Sequence, residues 1–160
     1  KYYAYTQNSA KQLIEDYAKH EVPLDNMVID TDWRASSERG IGYDVNTNLF
    51  PNMKEFMDYA HSCGVEVMFN DHPEPVDGAE NLLTPSEVKF RDEKLCSIME
   101  LGLDTWWYDR NWTTKLKTPV EKISAETWGM YLFYQITEHF FQSKSRRQKN
   151  IIAAQLLWQM

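Results

Sequence analysis

Three short polar clusters recur at near-equal intervals along the chain: Asp30-Thr-Asp32-Trp33, Asn70-Asp71-His72 and Asp109-Arg110-Asn111-Trp112. Their side chains suit the binding and cleavage of sugars. A carboxylate accepts hydrogen bonds from neighbouring hydroxyls. An indole covers the apolar C–H side of a sugar ring and keeps water out. A carboxylate can also attack an anomeric carbon, or stabilise the positive charge that develops there. The third cluster is the densest. TWWYDRNW, residues 105–112, sets Asp109 among Trp106, Trp107, Tyr108 and Trp112. Arg110 beside it favours the ionised carboxylate that a nucleophile needs.

Plainer readings compete with these. Asp30 or Asp32 can simply cap a loop or helix. Asp109 can pair with Arg110, although neighbours on a strand point to opposite faces. The same alternation sends one of Trp106 and Trp107 into the core. His72 precedes two prolines and fits an ordinary loop. His20, His61 and His139 fall in helical segments and read as surface residues. Asp30, Asp32, Asp71, His72 and Asp109 could instead bind a metal, as in a metal-dependent barrel hydrolase. No H-E-x-x-H or H-x-H motif accompanies them.

The elements that must position these clusters repeat. Met27–Ile29, Val65–Phe69 and Leu103–Tyr108 read as buried strands, each preceded by a segment with helical periodicity. Ala10, Leu13, Ile14, Tyr17 and Ala18 share one face of the first helix, with Ser9 as its expected cap. The second runs from Asn52 to Cys63, opened by the capping-box spacing of Asn52 and Glu55 and closed by Gly64. The third opens at Thr84-Pro85, carries Val88, Arg91, Leu95, Ile98 and Met99, and ends at Gly102. A fourth helix is expected from Ser124 to Gln142. Helices alternating with strands at this spacing predict an α/β fold with a parallel sheet, in which the residues just past each strand gather on one edge. Ligands bind at that edge.

Composition excludes several classes. The net charge of -7 argues against a general affinity for nucleic acid or anionic membrane. The basic run Lys144–Lys149 reads as a solvated helix end. No apolar run approaches the ~20 residues that span a bilayer. No signal peptide is visible, which makes the expected location cytoplasmic. Cys63 and Cys96 have no metal-type spacing and are expected to be buried free thiols.

In order and spacing, VPLDNMVIDTDW, FPNMKEFMDYAHSCGVEVMFNDHP and GLDTWWYDRNW resemble three successive blocks of glycoside hydrolase family 31, the α-glucosidase and α-xylosidase family. KYYAYT resembles the aromatic segment after that family's first barrel strand. The resemblance implies a (β/α)8 TIM barrel and retaining hydrolysis of α-glycosides through two aspartates, with no cofactor. Trp107-Tyr-Asp109-Arg-Asn111-Trp112 is similar to the family's W-x-D-x-N-E nucleophile pattern, which makes Asp109 the expected nucleophile. Trp112 stands where that pattern has glutamate, which alters what the pocket accepts. The resemblance makes Asp30 the expected sugar-binding aspartate, with Asp32, Trp33, Asp71, His72, Trp107, Arg110, Asn111 and Trp112 around the substrate.

The family's acid/base aspartate comes from a later strand, and no acid follows Glu138 here. The expectation is therefore a partial barrel over residues 1–147, from about strand one or two to strand four. Residues 148–160 form a tail without an assigned structure. Such a chain would be a fragment of an α-glucosidase-like enzyme, inactive alone and prone to self-association through open sheet edges. The alternatives are a non-catalytic carbohydrate-binding or interaction module and the metal-dependent barrel hydrolase.

Overall fold

The computed structural model describes residues 3–35, 42–71, 85–109, 117–144 and 151–152. Helices and strands alternate as α1 (Gln7–Lys19), β1 (Asn26–Ile29), α2 (Met53–Ser62), β2 (Glu66–Asp71), α3 (Pro85–Glu100), β3 (Thr105–Tyr108), α4 (Ala125–Ser143) and β4 (Ile151–Ile152). A 3-10 turn, Thr31–Trp33, follows β1. The four strands form one parallel sheet in the order β1-β2-β3-β4. This is an open part of a (β/α)8 barrel.

Local chemistry sets the boundaries. Thr6, not Ser9, caps α1: its side chain accepts from the Ser9 amide while Ser9 bonds back to the Thr6 amide, a reciprocal box one turn earlier than expected. Asn52 and Ser124 cap α2 and α4 through the amides three residues on. β2 runs through Asn70 to Asp71, two residues beyond the apolar run that marks it in the sequence. β4 adds a short strand beside β3 within the segment expected to be a tail.

One face of the sheet carries the core. Met27 and Ile29 of β1, Val67 and Phe69 of β2, and Trp106 and Tyr108 of β3 are buried with Ile14, Phe56, Met57, Leu95, Met99, Phe133 and Phe141 of the helices. These strand positions share one parity, so all face the helix layer. Val28 has the opposite parity and is 40% exposed. Cys63 is exposed at the end of α2 and Cys96 is half-buried, so the expectation of two buried thiols fails for Cys63. Burial and the nearby Asp92 push the Cys96 thiol up to about 12, leaving it inert. Among the described residues no helix is long and apolar enough to cross a membrane.

The turn into β3 is tightly built. The Asp104 carboxylate accepts from the Val67 amide at 2.9 Å and lies 2.7 Å from His61 Nε2. Gly102 has φ +121°, and a Cβ there would lie 3.3 Å from Met57 Cβ and 3.4 Å from His61 Cε1. Gly64 also has positive φ, +76°, but opens onto empty space. Gly102→Ala should therefore cost about 2–3 kcal/mol and Gly64→Ala about 1. Urea unfolding midpoints check this; equal shifts for the two variants would contradict the packing difference.

Candidate functional site

The ends of the first three strands converge at one edge of the sheet. The register pairs Ile29 with Phe69, Phe69 with Trp106 and Asn70 with Trp107. One step past Ile29, Asp30 therefore falls in the same row as Asn70 and Trp107. These positions share the parity of Val28, the face turned away from the helices. Asp109 joins them: its Oδ2 accepts a hydrogen bond from Asn70 Nδ2 at 3.1 Å. Its own amide donates to the Asp71 carbonyl at 3.3 Å, continuing the ladder one residue past β3. Asp109 and Trp107 are half-buried and Asp30 is 8% exposed.

Asp30 caps the 3-10 turn, its Oδ1 accepting from the Thr31 amide at 2.8 Å. Asp32 is half-buried within that turn, its carbonyl accepting from Asn46 Nδ2 at 3.3 Å.

The second cluster divides between the two faces. Asn70 points to Asp109, whereas Asp71, with opposite parity, turns into the helix layer and is fully buried. Both Asp71 carboxylate oxygens accept from the Tyr43 hydroxyl at 3.0 Å, and that hydroxyl accepts from Arg91 Nη1 at 2.9 Å. Burial raises the Tyr43 pKa well above its ordinary value, Asp71 adds to the rise and Arg91 opposes it. The phenol remains a donor. The Asp71 carboxylate thus lies behind the strand end, bound to protein groups, and not beside Asp109.

Trp33 is also inside. It is fully buried, stacked on Phe69 with ring centroids 5.1 Å apart and edge-on to Trp106 at 5.6 Å. Its Nε1 donates to the Asn70 carbonyl at 2.7 Å. Trp33 therefore braces the outlet of β2 from the core side. Tyr108 is likewise buried, its hydroxyl donating to the Phe133 carbonyl at 3.1 Å and lying 3.2 Å from Thr137 Oγ1. Of the paired tryptophans, Trp106 is core and Trp107 lies on the face of Asp109. His72, Arg110, Asn111 and Trp112 lie outside the described residues. Among the described residues no group of three His, Cys, Asp or Glu could hold a metal.

The sequence places Asn70 at the rim and Arg91 on the stripe of α3 without giving either a role, and it does not single out Tyr43. Arg91 carries a visible signal, since it falls on the apolar stripe of α3, where a charge must find a partner. The role of Asn70 becomes visible only through the register, which sets it beside Trp107.

The chain matches the family described as Glycosyl hydrolases family 31 TIM-barrel domain over residues 1–96. No curated protein sequence matches it. Among solved structures it is similar to a family-31 α-xylosidase from a soil metagenome complexed with xylose, with 16% identity and a TM-score of 0.68 over 93% of this chain and 28% of that one. A xylosidase from Aspergillus niger gives 15% identity and a TM-score of 0.64 over 95% of this chain and 29% of that one. A Flavobacterium johnsoniae family-31 dextranase complexed with glucose gives 10% and 0.62 over 94% and 24%. The chain spans less than a third of the length of these relatives.

Proposed function

Because this chain belongs to glycosyl hydrolase family 31, we propose that it carries the nucleophile-bearing part of a retaining α-glycosidase, with Asp109 as the nucleophile. The observation that carries the reading is the row formed by Asp30, Asn70 and Trp107, with Asp109 bonded to Asn70 on the same face. In the reaction an Asp109 oxygen attacks the anomeric carbon, the bond to the leaving oxygen breaks, and a glycosyl ester forms. Asp30 accepts hydrogen bonds from sugar hydroxyls and Trp107 stacks on the ring. Asp32, His72, Arg110, Asn111 and Trp112 complete the surround, while Trp33 and Asp71 support it from behind. The substrate class is a terminal α-linked glycoside, α-glucoside first, with α-xyloside and α-galactoside as the alternatives to test.

Retention needs a second carboxyl group ~5–5.5 Å from the first, to protonate the leaving oxygen and then activate water. No acid follows Glu138 in these 160 residues, and none of the described acids before it is offered for that role. The expected result is negligible release of p-nitrophenol from p-nitrophenyl α-glucoside, α-xyloside and α-galactoside by the isolated 160-residue chain. Turnover that survives in Asp109→Asn would defeat the assignment.

A carbohydrate-binding module without turnover is the alternative use of the same sugar-facing side chains. Saturable binding of a glycoside together with no covalent capture of an activated sugar would select it. The metal-dependent hydrolase has less support, because the Asp71 carboxylate is bonded behind the sheet and turned away from Asp109.

A further inference from the structure

We propose that Asn70 is a positioning residue that fixes the carboxylate of Asp109 for attack; this rests on the reading of Asp109 as the nucleophile. Asn70 is 1% exposed, and its one described side-chain bond is the 3.1 Å donation from Nδ2 to Asp109 Oδ2. Its Oδ1 is buried and has no hydrogen-bond partner among the described residues. Turning the carboxamide over would set that oxygen against the carboxylate, so the observed orientation is the one Asp109 selects. An apolar side chain would avoid the unsatisfied oxygen; the retained carboxamide is explained by the donor it gives to Asp109.

The frame around Asn70 is stiff. Its carbonyl accepts from Trp33 Nε1 at 2.7 Å, and the next carbonyl, that of Asp71, accepts from the Asp109 amide at 3.3 Å. Backbone and side chain of Asp109 are therefore both tied to the last two residues of β2. A donor held on Oδ2 restricts rotation of the carboxylate and sets the line along which the other oxygen meets the anomeric carbon. Small misplacements of a reacting group cost on the order of 100-fold in rate.

The test compares the 160-residue chain with Asn70→Ala and with Asn70→Leu, which keeps the approximate volume and loses the donor without adding a charge. Three-bond couplings about χ1 of Asp109 report its orientation by NMR. Capture of 5-fluoro-α-glucosyl or 5-fluoro-α-xylosyl fluoride reports its reactivity. Fluoride leaves with its bonding electron pair and needs no acid, while an Asp109 oxygen bonds to the anomeric carbon. The expected result is one rotamer in the wild type, averaged couplings in both variants, and a maximal capture rate lowered roughly 10- to 100-fold with little change in half-saturation. A purely space-filling role would leave Asn70→Leu like the wild type, and that result overturns the proposal. So do unchanged couplings in both variants, whatever the capture rates. Failure of the wild type to be labelled at Asp109 is a separate outcome: it removes the nucleophile reading and the catalytic meaning of Asn70 with it.

Discussion

Asp109→Asn is expected to abolish covalent capture of an activated α-glycosyl fluoride, lowering the rate by a factor on the order of 10³ or more. The amide has the shape of the acid but lacks the negative oxygen that attacks the anomeric carbon. The fold should barely notice. Asp109 is half-buried, and an amide oxygen still accepts from Asn70 Nδ2. The stability change should stay within about 1 kcal/mol, the typical net worth of a single hydrogen bond. Rates of adduct formation measured by intact-mass spectrometry, beside urea melts of the same samples, check both halves. Loss of capture with an intact melt assigns the effect to chemistry. A variant that captures the sugar at the wild-type rate would move the nucleophile elsewhere.

Arg91→Ala is expected to have the largest effect on stability. Arg91, Tyr43 and Asp71 are buried, at 1%, 3% and 0% exposure, and are joined through the tyrosine hydroxyl. Removing the guanidinium leaves the Asp71 carboxylate in the helix layer without that compensating charge. Breaking one side of a buried charged pair costs about 3–5 kcal/mol. For a chain of this size that is a fall in melting temperature of roughly 6–20 °C. Removing both charges, as Arg91→Met with Asp71→Asn, should recover much of the loss, because the price of burial is then removed from both sides. Thermal or urea unfolding of the two single variants and the double variant measures the coupling. Additive losses would show that the two residues do not act together.

Much of this fold was legible in the sequence because its signals are local. The helix-then-strand unit, the cap at Asn52, the start of α4 near Ser124 and the helix stops at Gly64 and Gly102 depend on neighbours within a turn. The start of α1 was read one turn late because Thr6 and Ser9 are both good caps, and only the reciprocal bond decides between them. The gathering of Asp30, the Asn70–Asp71 pair and Asp109 at one edge followed from the parallel βα pattern alone.

Which of those residues face each other was not legible. The apolar run that marks β2 in the sequence stops at Phe69, which sets Asp71 in the loop beside the substrate. The strand continues to Asp71, and alternation then turns that side chain into the helix layer. Its partners come from elsewhere in the chain: Tyr43 from the connection between β1 and α2, Arg91 from α3. No periodicity within a short window can reveal such a contact. Trp33 differs from its expected place in the pocket for a similar reason. Its burial depends on Phe69 and Trp106, contributed by two other strands. The pattern brings Asn70 to the rim but not its role, which lies in a pairing with Asp109 across the sheet, and register is a tertiary property. Arg91 is the exception, a charge on an apolar stripe that the sequence displays openly.

The central question is which atom bonds to the sugar. The direct measurement is peptide mapping by tandem mass spectrometry after the chain is incubated with 5-fluoro-α-glucosyl and 5-fluoro-α-xylosyl fluoride and quenched with acid. The expected result is a single glycosyl mass increment on the peptide containing Thr105–Tyr108, with fragment ions placing it on Asp109. An increment on Asp30, Asp71 or any other carboxylate would contradict it.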